Sequence, residues 1–300
     1  MEILLLYGGD SSEREVSLRS GARVGAALRE RGHTVRAIDA RGDAPSAELL
    51  ALARAADAVF LCFHGGAGED GRWQTALDGA DVTHYTGSGG AASALAMDKP
   101  RAKACVQKMG VPCARGAMWR VGEAAPALEF PFIVKPPQGG SSVGFQILKT
   151  HEEVEKLTPL EDLLCEEYLP GREYSVGILG TRALAPVEIC PQGGVYDYAH
   201  KYEANATREL CPAPVGPVRL ARLQNLAQVC FTALGLRDFA RIDFKESAAG
   251  EICFLEANTL PGMTATSLLP LAAGERGLSF ADLCERMLQM ASSRKQHKST

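Results

Sequence analysis

The first apolar run, Ile3-Leu-Leu-Leu-Tyr7, is continuous and short, and Gly8-Gly9-Asp10-Ser11 closes it. Such a run between turn residues predicts a buried strand over 2–7. Ser12 and Glu15 have the spacing of a capping box, and Val16, Ala22, Val24 and Leu28 carry a helix on to Arg31-Gly32. Strands over 34–39 and 57–63 with a helix over 46–54 between them complete a β-α-β-α-β alternation. Parallel strands need helical crossovers, so this alternation predicts an α/β, doubly wound parallel sheet. Its strand ends deliver two glycine-rich loops, Gly8–Ser12 and His64–Gly71, where such sheets hold ligands.

The pattern then shifts toward shorter strands. One helix ends at Asp98 and another begins at Lys99-Pro100 and runs to Met109. Strands are predicted over 117–121 and 130–135, then a Pro/Gly/Ser loop over 136–144 and a strand over 145–148. A helix over 151–157 precedes strands at 162–168, 173–179 and 182–190. The 191–206 stretch is too long for a simple connection and too aromatic for a linker, which predicts a lid. A helix over 217–234 leads into strands at 240–245 and 251–258, and helices at 267–273 and 279–291 follow. These shifts divide the chain into an N-terminal α/β domain (1–98) and two α+β units (99–170 and 171–300).

The strands at 240–245 and 251–258 carry the densest chemistry. Alternation puts Arg241 and Asp243 on one face of the first strand, and Glu256 and Asn258 on one face of the second. If the two faces coincide, three oxygen donors converge beside a guanidinium, a set that suits Mg²⁺ with substrate phosphates and waters. An antiparallel pair with a polar outer face is the plain alternative. The 130–148 hairpin ends its first strand in Lys135 and continues into Gly139-Gly-Ser-Ser142, so amides, hydroxyls and one ammonium are able to close over phosphates. It lacks the Gly-Lys-Ser/Thr order and the following helix of a Walker loop, and a flexible Gly-Ser hairpin would read the same way. In the two glycine-rich loops Glu13 and His64 are the residues of interest: Glu13 is either a first-turn acid complementing the helix dipole or a functional group of the loop, and His64 either a loop histidine bonded to backbone or a catalytic one. Glu166, Glu167 and Glu173 bracket the Leu169-Pro-Gly171 turn, either as solvated surface or as acceptors for adenine and ribose.

Composition excludes several classes. With 46% hydrophobic residues in 300, the chain can fill sizeable cores. A net charge of −4 gives no general attraction to nucleic acid or anionic membrane. No apolar run approaches the roughly 20 residues of a membrane span, and the N-terminus lacks the basic region of a signal peptide. The nine cysteines never form a C-x-x-C pair and sit mostly in apolar runs, so buried free thiols in a reducing cytoplasm are expected.

Ten motifs, in order, resemble the ATP-grasp enzymes and, within them, the D-alanine–D-alanine ligase family. They are Gly8-Gly-Asp-Ser-Ser-Glu-Arg-Glu-Val-Ser17, His64-Gly…Gly-Glu-Asp-Gly71, Tyr85-Thr-Gly-Ser88, Met97-Asp-Lys99, Val134-Lys-Pro136, Gly140-Ser-Ser-Val-Gly144, Tyr196-Asp-Tyr198, Lys201-Tyr202, Arg241-Ile-Asp243 and Glu256-Ala-Asn-Thr…Pro-Gly-Met-Thr264. The resemblance spans residues 3–290 and implies a cytoplasmic, homodimeric enzyme of peptidoglycan synthesis that takes ATP and D-alanine, with no nucleic-acid or membrane partner. It implies that Lys99, Lys135, Ser142, Glu166, Glu167, Leu169 and Glu173 hold ATP, and that Asp243, Glu256 and Asn258 hold two Mg²⁺ or Mn²⁺ ions. Glu13, with His64 nearby, would bind the first D-alanine, and Glu13, Ser141 and Tyr202 would dock the lid. Arg241 and the amide of Gly262 would form an oxyanion site, and Lys201 and Ser267 would hold the second D-alanine's carboxylate. Tyr202 points to D-alanine as the second substrate, because relatives that prefer D-lactate tend to lack it. Glu167 departs from the pattern, standing where many members carry lysine, and the 149–161 connection is short.

Overall fold

The computed structural model describes residues 1–140, 144–191 and 207–296. Ser141, Ser142, Lys201, Tyr202 and the expected lid beyond Pro191 lie outside the described residues. Three sheets organise the rest.

The first is parallel, with β1 (Glu2–Gly8) between β2 (Thr34–Ala40) and β3 (Ala58–Cys62). The chain leaves β1 through α1 (Arg14–Glu30), returns along β2, and passes through α2 (Ala47–Ala55) to β3 on the other side of β1. The connections after β1 and β3 therefore depart in opposite directions. A crevice opens there at the carboxyl ends of the strands, the position where doubly wound sheets bind ligands.

The expected glycine-rich loop over His64–Gly71 is half helical: α3 (Gly66–Glu69) lies inside it and α4 (Arg72–Gly79) follows it directly, each starting where Gly65 or Gly71 adopts positive φ. The expected capping box is not formed either. Helix α1 begins at Arg14, with Glu13 at the N-cap making no side-chain cap bond. Ser11 instead donates its hydroxyl to the His64 carbonyl at 2.5 Å, and the Glu13 carboxylate lies beside Gly65. The helix start gives up local capping so that these groups can reach the crevice.

Helices α5 (Gly90–Met97) and α6 (Lys99–Gln107) lead to a four-stranded antiparallel sheet of β4 (Gly116–Trp119), β5 (Phe132–Lys135), β6 (Gln146–Leu148) and β7 (Leu163–Glu167), in the order β4-β7-β5-β6. Its small core comprises Trp119, Phe132, Val134, Leu148, Leu163 and Cys165, and α7 (His151–Lys156) crosses beside β6. Here a capping box does form, between Thr150 and Glu153.

The third sheet runs β11-β10-β8-β12-β13, with β9 beside β8: β8 (Glu173–Leu179), β9 (Arg182–Ala183), β10 (Val187–Pro191), β11 (Thr207–Leu210), β12 (Phe239–Glu246) and β13 (Ile252–Asn258). The strand expected over 182–190 is broken between β9 and β10. Pro186 in the gap has no amide to donate, and its carbonyl accepts from Ala213 instead. Helix α8 (Pro217–Ala233) covers one face of this sheet together with α5 and α6. Ala102 and Val106 of α6 are buried among Tyr174, Ile242 and Phe254, so the 98/99 boundary falls between two helices that share the third sheet's core. Of the last helices, α9 (Leu268–Gly274) lies on β8 of the third sheet and α10 (Phe280–Gln296) on α1 and β3 of the first, so the pair joins the two layers through one shared core. Among the described residues no helix is long and apolar enough to cross a membrane.

Candidate active site

The polar face of the β12–β13 hairpin is set by register. Arg241 lies opposite Asn258 and Asp243 opposite Glu256, so all four occupy one face. A register shift between Asp243 and Phe244 makes this happen, because Phe244 pairs with Phe254 and Leu255 is the extra residue. Without that bulge Asp243 would oppose Leu255, and Glu256 and Asn258 would point to the other side. Beyond the bulge Phe244 and Phe254 are both buried and meet edge to face, which anchors the hairpin's inner surface.

Arg241 grips both oxygens of Asp243, at 3.0 Å from Nε to Oδ1 and 2.9 Å from Nη2 to Oδ2. The Ser175 hydroxyl on β8, directly opposite Asp243, donates to Oδ1 at 2.7 Å. Asn258 Oδ1 is buried with no hydrogen-bond partner among the described residues. A buried amide oxygen left without a donor, on the face that carries two carboxylates, fits a hard divalent cation. Among the described residues no group of three or more His, Cys, Asp or Glu stands ready for a metal. The two acids and Asn258 would thus need phosphate oxygens and waters to complete a shell, which is how Mg²⁺ usually sits.

Lys99 reaches the same face. Its ammonium lies 3.8 Å from Glu256 Oε2 and donates to the Gly139 carbonyl at 2.5 Å, tying the Gly/Ser loop to the hairpin. One helical turn on, Lys103 shares the face of α6 and meets Glu166, whose other oxygen lies 2.8 Å from Lys135 Nζ. Burial pushes the Lys103 ammonium down to about 8, with Lys135 adding to the shift. Burial alone would raise Glu166, but Lys135 and Lys103 beside it hold its carboxyl below the ordinary range. A buried carboxylate flanked by two lysines holds Lys135 in a fixed place at the edge of the cleft. Sequence reasoning missed Lys103, although its four-residue offset from Lys99 was a usable signal.

Glu167 falls on the opposite face of β7 and is held by Arg115 through Nε and the backbone amide, at 2.9 and 3.0 Å. Strand alternation therefore separates its side chain from the Glu166 cluster. Leu169 is buried with Ala114 and Cys253. Glu173 pairs with Lys245, its cross-strand neighbour, at 2.8 Å.

The Pro-Gly turn after β13 sits at the crevice of the first sheet. A Cβ on Gly262 would lie 2.7 Å from Ser267 Oγ, so a larger residue there must displace the serine hydroxyl or the turn. Ser267 Oγ itself accepts from the Thr264 amide at 2.9 Å at the start of α9. His64 is buried, with Nδ1 2.9 Å from the Leu260 carbonyl and Nε2 3.0 Å from Ser20 Oγ. Both ring nitrogens are thus engaged inside the protein, and burial holds the ring below its ordinary value, in the neutral form. Glu13 approaches from α1, its Oε2 2.7 Å from where a Cβ on Gly65 would stand and 3.4 Å from one on Gly140.

Glu69, buried on α3, accepts from the amides of Gly65 at 2.9 Å and Leu260 at 3.4 Å. Burial, reinforced by the charge of Glu13, raises its carboxyl to about 7. A folded value above the ordinary 4.5 means that Glu69 contributes its full stability below pH 4.5 and loses it as pH rises to about 7. Glu69→Gln should flatten that decline. Melting temperature followed between about pH 5 and 7.5 should fall more steeply in the wild type than in the variant, and parallel curves would refute the assignment. His64 contributes with the opposite sign in both proteins, gaining stability as pH rises toward 6.5, so the comparison isolates Glu69.

Of the residues singled out in the sequence, Lys99 joins the hairpin face of Arg241, Asp243, Glu256 and Asn258 to the Gly139-Gly140 loop, which Glu13 also approaches, His64 is bonded into the turn that carries Gly262 and Ser267, and Lys135 pairs with Glu166. The Glu167 side chain is turned aside.

Residues 116–289 match the sequence profile of the D-ala D-ala ligase C-terminus. The D-alanine–D-alanine ligase of Granulibacter bethesdensis is 41% identical over 97% of this chain and 98% of its own length. The fold superposes on the crystal structure of D-alanine–D-alanine ligase from Bacillus anthracis, complexed with ATP, with a TM-score of 0.84, 26% identity and full coverage of both chains. It also superposes on VanG D-Ala:D-Ser ligase from Enterococcus faecalis, with a TM-score of 0.80, 25% identity and coverage of 97% and 99%. With that profile spanning more than half of the chain and a relative 41% identical along nearly the whole of both lengths, the chain belongs to the D-alanine–D-alanine ligase family of ATP-grasp enzymes.

Proposed function

We propose that the chain joins two D-alanines at the expense of ATP, supplying the dipeptide for peptidoglycan synthesis. The observation that carries this reading is the bulged β12–β13 register, which gathers Arg241, Asp243, Glu256 and Asn258 on one face within reach of Lys99. Lys99 and Lys135, with Ser142, take the nucleotide's phosphates. The β7 hinge from Glu166 to Leu169 takes adenine, with Glu167 contributing backbone only, and Glu173 takes ribose. When bound at Asp243, Glu256 and Asn258, two Mg²⁺ or Mn²⁺ ions supply neutralising charge to the phosphoryl oxygens.

Glu13 holds the ammonium of the first D-alanine. That substrate's carboxylate attacks the γ-phosphorus, a C–O–P link forms as the β–γ bridging bond breaks, and ADP leaves. The amine of the second D-alanine, its carboxylate held by Lys201 and Ser267, then attacks the acyl carbon. Negative charge develops on the former carbonyl oxygen, opposite the Arg241 guanidinium and the Gly262 amide. Collapse expels inorganic phosphate, and the amine gives up its proton. The acyl phosphate is destroyed by water, which gives the 191–206 lid a purpose, with Ser141 and Tyr202 fastening it to Glu13. A cytoplasmic homodimer completes the proposal.

Phosphate release from ATP should be strongly stimulated by D-alanine, with the dipeptide as product. Absence of stimulation would overturn the reading. The likeness to a D-Ala:D-Ser ligase keeps a second acceptor in view. D-serine or D-lactate offered beside D-alanine should give only minor mixed product, and a dominant mixed product would replace D-alanine as the acceptor.

A further inference from the structure

We infer that Ser20 is a positioning residue that fixes the Gly262 amide through a buried relay, an inference that rests on the oxyanion role proposed above for that amide. Ser20 lies on α1 and is wholly buried. Its hydroxyl oxygen is 3.2 Å from the Met263 amide nitrogen and 3.0 Å from His64 Nε2, while His64 Nδ1 is 2.9 Å from the Leu260 carbonyl. One chain of hydrogen bonds therefore touches the turn on both sides of Pro261-Gly262.

The direction of every proton in the relay is determined. The Leu260 carbonyl can only accept, so Nδ1 carries the ring hydrogen. In the neutral imidazole Nε2 is then an acceptor, and it takes the Ser20 hydroxyl hydrogen. The Ser20 oxygen keeps a lone pair for the Met263 N–H. No group in the series is asked to donate twice, and burial keeps the ring neutral, as the series requires. Removing the hydroxyl leaves the Met263 amide and His64 Nε2 without this partner in a site closed to solvent, which buried polar groups do not tolerate well.

Further bonds bear on the same short segment. Glu69 Oε1 accepts from the Leu260 amide at 3.4 Å, and Arg23 Nη1 donates to the carbonyls of Thr264 at 2.6 Å and Met263 at 3.3 Å. Both arms come from the first-sheet domain, whereas Arg241 comes from the third sheet. An oxyanion donor is effective when its position is set before charge develops. The bonds that flank the Gly262 amide at Leu260 and Met263 come from α1 and the β3 loop, and Ser20 links the two through His64.

The test uses the full chain with Ser20→Ala and a phosphinate analogue of the dipeptide, whose anionic tetrahedral centre occupies the oxyanion position. A displacement of about 1 Å in a catalytic donor is able to cost on the order of 10²-fold. The kcat for dipeptide formation and the affinity for the analogue should each fall about 10- to 10²-fold, while affinity for a non-hydrolysable ATP analogue changes less than about 2-fold. Ser20→Cys, close in size and with a weak donor, should lose less and serves as the second variant if Ser20→Ala does not fold. Wild-type affinity for the phosphinate in a folded Ser20 variant would overturn the role of Ser20 alone. Equal losses for phosphinate and nucleotide would reduce Ser20 to general packing and overturn it too. If the wild type itself neither binds the phosphinate nor responds to D-alanine, the ligase reading fails and the Ser20 inference fails with it.

Discussion

Glu256→Gln should lower ATP-dependent dipeptide formation by at least about 10²-fold while leaving the fold intact. The amide has the shape and volume of the carboxylate, so what the substitution removes is charge. Glu256 sits opposite Asp243 on the exposed side of the bulge, and its side chain is 28% accessible, so the change creates no core cavity. Its contact with Lys99 spans 3.8 Å, beyond hydrogen-bond reach, so the neutral amide gives up no direct bond to that ammonium. The predicted loss therefore reports the cation-binding role. Two measurements check it: turnover at saturating D-alanine, and nucleotide affinity titrated against Mg²⁺ and Mn²⁺ with melting temperature as the control. Divalent-ion dependence of nucleotide binding should weaken in the variant. Wild-type turnover would remove Glu256 from the metal set.

How much of this site the sequence reveals depends on the range of the physics involved. Strand alternation is local, so the pairings Arg241 with Asp243 and Glu256 with Asn258 could be read directly. That the two pairs share one face could only be posed as a condition, because the deciding feature is one extra residue at Leu255. Nothing in Glu251-Ile-Cys-Phe-Leu-Glu marks that bulge. The requirement that Phe244 and Phe254 be buried together is met across the sheet, not along the strand. The β-α-β-α-β order was likewise legible, while the two short helices after His64 were hidden by glycines that turn the backbone yet still permit helix. Ser20 and Ser175 escaped notice because each gains its role from a partner at least 44 residues away, His64 for Ser20 and Asp243 for Ser175, and Glu69 because its bond to the Leu260 amide spans the chain; Lys103 alone carried a local signal, its offset from Lys99. His64 was visible as a residue of interest, but its buried bonds to Leu260 and Ser20 assign it to holding the turn. Local rules failed at Ser12–Glu15 because the helix start serves the crevice, which is where sequence logic is expected to yield to function.

Gly262→Ala offers the second large effect, and its cause can be isolated with a partner mutation. The new methyl would stand 2.7 Å from Ser267 Oγ, a contact that cannot persist. Ser267 could escape by rotating, but its oxygen is held by the Thr264 amide and lies 2.9 Å from Thr264 Oγ1, so rotation gives up both bonds. Otherwise the turn moves and carries the Gly262 amide with it. Either response strikes the second half-reaction, through the acceptor carboxylate or the oxyanion donor, and a shift near 1 Å is enough for about 10²-fold in kcat. ATP affinity should change little, since Lys99, Lys135 and the β7 hinge are not displaced. In a Ser267→Ala background the nearest remaining atom is the residue 267 Cβ at 3.5 Å, an ordinary contact. Adding Gly262→Ala to Ser267→Ala should therefore cost much less than adding it to the wild type, a non-additivity that identifies direct contact between the two positions. Strict additivity in kcat/KM for the second D-alanine would mean that the methyl acts elsewhere, and the tight approach of turn and helix would lose its claim to explain why residue 262 is glycine.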